Sequence, residues 1–252
     1  MNEKNLTIAA PLQGEWFVET SPKDRVPSHG TNRFGLRYAF DFIQIAPANQ
    51  KQVTHDKKRL DYYLGGVALN HFYCFEQPVY APFSGKVVQA KNNTADGVSA
   101  SWFQGQKTLI RNSLFFDPQR DGFEKIAGNY VILQHSDRLF AAVCHLQKDS
   151  IAVKVGQLVT AGAFLGKVGH SGSSTEPHLH FQLMDSDIIE SAQGLPFVFE
   201  AYERFENHSW IPVTKELPAK GDLVRFKTET NLKNDFSHRL SRKNVAIDFT
   251  IE

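Results

Sequence analysis

The chain has 252 residues, enough for one large domain or two modest ones with a substantial core. Hydrophobic residues make up 41% and charged residues 22%, the balance of an ordinary globular protein. The net charge is +1, so nucleic acid or an anionic membrane could be a partner only through a local patch, and no basic run is long enough to propose one; no nucleic acid is expected.

Residues 1–30 read as an N-terminal segment. Its opening, "MNEKNLTIAAPLQGEWFVET", is not a signal peptide, because Pro11, Gln13 and Gly14 break the apolar stretch and no basic segment precedes a continuous one. No run approaches the roughly 20 apolar residues of a membrane span. By sequence the chain is therefore cytoplasmic, or a cell-envelope or secreted protein if exported by another route. "RYAFDFIQI" (Arg37–Ile45) alternates as a strand does, while "HDKKRLDYYLGGVALNHF" (His55–Phe72) is the best helix or loop candidate, part of an insertion at about 50–75. "PVYAPFSGKVVQA" (Pro78–Ala90) reads as strand, Ser84-Gly85 turn and strand. Residues 91–127 are polar and loop-like, a second insertion whose length points to a covered or narrowed groove.

"GNYVILQHS" and "FAAVCHLQ" read as antiparallel strands joined at Asp137-Arg138. Glycines 156, 162, 166 and 169 then punctuate short strands, and "HLHFQLMD" closes the set. From about 187, "GLPFVFEAYERF" and "KELPAKGDLVRF" read as an appended strand pair, followed by a polar tail. With twenty Phe and mostly short apolar runs, the fold class is all-β: a mainly antiparallel, barrel- or sandwich-like groove with helical or irregular insertions. The expected division is 1–30, a β domain over 31–186, and an extension over 187–252. Cys74 and Cys144 form no framework and read as free, inert thiols.

Residues two apart on a strand share a face. His178 and His180 therefore project together, with Leu179 behind them in the core. The same rule separates His145 from Cys144, which disfavours a thiol–imidazole dyad, and groups Asp41 with Ala39 and Arg37 while Phe40 and Phe42 enter the core. Three imidazoles and a carboxylate on strand faces suit a zinc hydrolase. These groups are good ligands, an open position admits water, and the ion brings that water's pKa towards neutrality. Against this stands the bland reading that, in a chain with ten histidines, any one is more often exposed or hydrogen-bonded than a ligand.

The stretch from Gly128 to Leu183 resembles the lysostaphin/LytM-type zinc endopeptidases, which mostly cut peptide bonds in peptidoglycan. "GNYVILQHS" is similar to their central strand. "VCHL" is similar to their tyrosine-any-His-Leu motif, with Val143 in place of Tyr, and "KVGQLVTAGAFLGKVGHSGSSTEPHLHFQL" follows their closing segment through its glycines and H-L-H. "PVYAPFSGKVV" is similar to the upstream hairpin, so the resemblance covers roughly 35–185. It implies zinc as cofactor and a peptide or peptidoglycan substrate. It also implies His180 and Asp41 as metal ligands, and His145 and His178 as the residues that orient the water and stabilise the transition state.

One departure bears on activity. The first residue of the family's H-x-x-x-D motif falls on Arg37, and a guanidinium has no lone pair for a metal. Arg37 could instead pair with Asp41 as a salt bridge. His29, twelve residues before Asp41 on a Gly-containing loop, is the candidate substitute ligand, with His71 and His170 more remote. Three readings follow: a metalloendopeptidase, a degenerate metal-free binding or regulatory domain, and a biotinyl- or lipoyl-type carrier. The carrier is disfavoured because Lys154 and Lys167 sit in strand text and not at a hairpin tip.

Overall fold

The structure, a computed structural model, describes residues 6–46, 53–115 and 118–227. The polar tail read beyond them lies outside the described residues. In chain order come β1 (Leu6–Ile8), β2 (Gly14–Thr20), β3 (Phe40–Ile43), α1 (Arg59–Leu64), β4 (Val67–Ala68), β5 (Pro78–Tyr80), β6 (Gly85–Lys91) and β7 (Ser99–Ala100). They continue as α2 (Trp102–Phe115), α3 (Pro118–Ala127), β8 (Asn129–Ser136), β9 (Leu139–Leu146), β10 (Leu158–Val159), β11 (Phe164–Lys167) and β12 (Leu179–Met184). The last are β13 (Phe197–Glu206), β14 (Ser209–Glu216) and β15 (Leu223–Phe226). Among the described residues, no helix is long and apolar enough to cross a membrane.

Eleven strands form one sheet in the order β1-β13-β15-β2-β3-β12-β9-β8-β6-β10, with β14 paired to β13. The β1–β13 pair is parallel and the other pairs of this sheet are antiparallel. Every residue of β9 and β12 is buried, because both faces of the sheet are covered at its centre. One face carries the larger core, where Phe40, Phe42, Phe197, Phe199 and Phe226 stack and abut with ring centroids 5.3–6.2 Å apart. Edge and offset contacts of this kind add to the area each ring removes from water. The opposite face carries Ile132, Ala142, Cys144 and Met184 beneath Phe34, Phe123 and Ala127.

Four expectations need correction. Arg37 is not on a strand: Arg33–Tyr38 is a 3-10 turn in which Phe34 (φ 58°) and Gly35 (φ 73°) take left-handed conformations, so alternation begins only at Phe40. The text Pro78–Ala90 is not a hairpin, because β5 pairs with β11 while β6 pairs with β8 and β10. Residues 91–127 are not a plain loop but contain β7, α2 and α3. Ser101 caps α2, its Oγ accepting from the Gln104 amide at 3.2 Å, and α3 survives a glycine break at Gly122 by burying Phe123 and Ala127. Tertiary burial overrides a pattern too polar and glycine-broken to announce helices. Residues 187–227 supply three strands where two were expected, and β1 and β2 of the N-terminal segment join the same sheet.

Phe199 touches five other phenylalanine rings of this core, so Phe199→Ala is expected to destabilise the chain by about 3–5 kcal/mol in urea unfolding. A loss below about 1 kcal/mol would mean that the aromatic cluster does not hold the sheet centre.

Candidate metal and hydrolytic site

Strand register builds the floor of the site. Asp41 on β3 lies directly opposite His180 on β12, which in turn lies opposite Cys144 on β9. Directly paired residues of neighbouring strands share a face, so one row across three strands carries a carboxylate, an imidazole and a thiol. Phe40, Phe42, Leu179 and Phe181 occupy the other face, in the aromatic core. The row opens into a cavity of about 200 Å³ whose walls include His29, His145, His178, Phe123, Ile126 and Thr175. α3 thus narrows the groove beside His145 and His178, as the length of the insertion suggests.

Asp41 is the centre of the polar contacts. His29 Nε2 lies 2.8 Å from its Oδ2 and His180 Nδ1 lies 2.9 Å from its Oδ1, while His178 Nε2 stands 3.7 Å from Oδ1. Burial pushes the Asp41 carboxyl up, but the charge of His29, the hydrogen bonds from His180 and His29 and the charge of His178 together hold it well below the usual carboxylate range. The group is an anion at neutral pH. His29, Asp41 and His180 each offer one donor atom, all within 4.8 Å of one another. Tetrahedral zinc with bonds near 2 Å spaces its donors about 3.3 Å apart, so two nitrogens and one oxygen gathered within 4.8 Å suit such an ion in type and lie within reach of it.

His145 and His178 sit beside this triad, their ring centroids 4.6 Å apart. Their tautomers follow from obligate acceptors. His145 Nδ1 is 3.0 Å from the Ser171 carbonyl and His178 Nδ1 is 2.7 Å from the Glu176 carbonyl, so each Nδ1 donates and each Nε2 faces the site. Burial and the neighbouring His178 and His180 drive His145 well below the ordinary imidazole value, which keeps it neutral. Ser171 is itself fixed, its Oγ donating to the Leu146 carbonyl at 2.8 Å and accepting from the Asn129 amide at 2.9 Å.

The structure alters two readings of the site. Strict alternation would separate Cys144 and His145, but His145 has φ 60° next to a register shift between β8 and β9, and both residues line the cavity. The left-handed residue returns its imidazole to the face that Cys144 already occupies. Arg37 does not stand in the ligand position. Its Nη1 donates to Asn32 Oδ1 at 2.6 Å, its Nε donates to Tyr38 Oη at 3.1 Å and its guanidinium lies over the Tyr38 ring, and among the described residues it makes no ion pair with Asp41. The 3-10 turn carries it off the strand face. His71 pairs with Asp56 (2.9 Å) and His170 with Ser174 (2.9 Å), outside the triad.

Sequence reading passed over Gln182, Glu176 and Glu19. Gln182 follows His180 by two residues on β12, so the alternation rule alone could have placed it on the same face. Glu176 takes a hydrogen bond from Thr54 Oγ1 at 3.1 Å, and burial and the nearby Glu19 raise its pKa to about 7. Glu19 falls at the register shift between β2 and β3, a bulge that no period announces.

Two outcomes are expected here. A carboxyl raised in the folded state costs stability as pH climbs from its unfolded value through about 7, because the folded chain holds a proton that the unfolded chain has lost. Glu176→Gln should therefore flatten the stability profile between pH 5 and 8 and raise stability at pH 8 by about 1–3 kcal/mol; an unchanged profile would refute the burial argument. Arg37→Ala should leave zinc affinity within about twofold in a chelator competition, and a drop of tenfold or more would return Arg37 to the site.

Comparison with known proteins comes down to one stretch. Peptidase family M23 matches residues 119–191, which include His145, His178 and His180 but neither His29 nor Asp41. Peptidoglycan DD-endopeptidase ShyA of Vibrio cholerae is 45% identical over 58 residues, covering 23% of this chain and 13% of that protein. ShyC of the same organism is 33% identical over 93 residues, covering 34% and 21%. The chain thus matches only a small part of these relatives' length. A solved structure described as a zinc containing peptidase from Vibrio cholerae aligns over 75% of this chain and 39% of its own, at 19% identity and a TM-score of 0.38. By this match, residues 119–191 are similar to peptidase family M23.

Proposed function

We propose that this chain is a zinc-dependent endopeptidase acting on peptide bonds of peptidoglycan, with His29, Asp41 and His180 as the metal ligands. The observation that carries this reading is the donor triad. A histidine from the N-terminal segment lies 2.8 Å from Asp41 Oδ2 while His180 lies 2.9 Å from Oδ1, which gathers two imidazoles and one carboxylate within 4.8 Å. The substrate class comes from the M23 match and the relatives named as peptidoglycan endopeptidases.

A zinc ion held there supplies a Lewis acid for the scissile carbonyl and an acidified water as nucleophile. The remaining work belongs to side chains. His145, neutral and presenting Nε2, accepts the proton of the attacking water. His178, its Nδ1 anchored on the Glu176 carbonyl, presents Nε2 to the oxygen on which charge develops. Apolar Phe123 and Ile126 on the wall of the cavity limit bulk water and strengthen each of these contacts. The metal-free alternative rested on Arg37, and with the guanidinium held by Asn32 and Tyr38 that feature no longer favours it.

Protein purified without chelator should contain about one zinc per chain. His29→Ala should weaken zinc binding at least tenfold, and His178→Ala should keep the zinc while slowing release of fragments from purified peptidoglycan by about 10²-fold or more. Stoichiometric zinc unaffected by His29→Ala would overturn the ligand assignment. A zinc-loaded chain that leaves peptidoglycan intact would overturn the substrate.

A further inference from the structure

We infer that Gln182 is a positioning residue for the metal site, and that its side-chain amide dictates which nitrogen of His180 faces the ion. The inference rests on the ligand set proposed above and adds a residue outside it. Gln182 is fully buried on β12, two positions beyond His180 and on the same face. Its Nε2 donates to the Phe34 carbonyl at 2.7 Å and also lies 3.4 Å from Met184 Sδ. A backbone carbonyl can only accept, so the orientation of the amide is fixed: Nε2 towards Phe34, Oε1 towards His180.

That orientation has a consequence one bond further on. Gln182 Oε1 lies 3.0 Å from His180 Nε2 and can only accept, so His180 Nε2 must carry a proton. The nitrogen left for a metal is Nδ1, 2.9 Å from Asp41 Oδ1, and the proton it shares with that carboxylate in the metal-free chain leaves when the ion binds. A glutamine, neutral and locked at both ends, thus aims the imidazole and selects its tautomer, as outer hydrogen-bond partners of metal-bound histidines generally do.

The anchor of the amide lies in the odd backbone before β3. Phe34 and Gly35 both have positive φ, and a Cβ at Gly35 would stand 2.6 Å from Gln182 Nε2. Glycine is required there for its conformation and for the space the amide fills. The same turn leads from the His29 loop into β3, so one side chain ties the H-L-H strand to the segment that supplies both other ligands.

The test uses the full chain loaded with one equivalent of zinc. Long-range ¹H–¹⁵N spectra of histidine-labelled protein should show His180 with its proton on Nε2 and the metal on Nδ1. Gln182→Met, which keeps the length but loses the acceptor, should weaken zinc affinity by about 10–100-fold in a chelator competition. Gln182→Glu, which restores an acceptor, should recover most of that loss. A proton on Nδ1 in the wild-type chain, or wild-type affinity in a folded Gln182→Met chain, would overturn the inference. The wild-type spectrum decides the matter even if the variants fold poorly. Failure of the wild-type chain to bind zinc would instead overturn the parent assignment of ligands, and this inference with it, a result distinct from zinc bound through the other nitrogen.

Discussion

A single ionised carboxylate, the half-buried Asp41 between His29 and His180, sets the terms for the rest of the site. Placing a carboxylate at the centre of a sheet is costly unless partners satisfy both oxygens. Here imidazoles arrive from two separate directions, one from the opposing strand and one from a loop twelve residues upstream. β3 can offer Asp41 to the cavity because Phe40 and Phe42 on either side are rooted in the aromatic core.

The architecture around this anion is a set of devices for aiming imidazoles. Backbone carbonyls fix His145 and His178, the left-handed φ of His145 turns its ring onto the site face, and the Gln182 amide fixes His180. Side-chain acceptors add to these carbonyls at two points, Ser174 Oγ 3.2 Å from His178 Nδ1 and Gln182 Oε1 3.0 Å from His180 Nε2. The loop 171–178 thus supplies two carbonyls and one hydroxyl to the imidazoles, and Ser171 and Asn129 are buried and hydrogen-bonded at its base.

Much of this was legible in the residues, and the illegible parts share a cause. The period of two in H-L-H put His178 and His180 together, and the distance in sequence from Asp41 hid nothing because β3 and β12 pair directly. His29 could be named as a substitute because its loop is short and contains glycine, but no pattern could show that Arg37 would leave the strand face. That depended on Phe34 and Gly35 taking positive φ, in a turn whose Phe34 carbonyl accepts from the Gln182 amide. The face of His145 was hidden for the same reason, since a left-handed residue breaks the period on which the reading depends. The insertion at 91–127 was expected to be helical or irregular, but its polar text did not place the helices, and α3 is held by burying Phe123 and Ala127 in the cluster with Tyr130 and Phe34.

The most direct measurement is anomalous scattering at the zinc edge from crystals of the chain grown without chelator. The account predicts one peak between His29 Nε2, an Asp41 oxygen and His180 Nδ1, within bonding distance of all three. A peak held by Asp41 and His180 alone, with His29 turned outward, or a peak anywhere else on the chain, would contradict it.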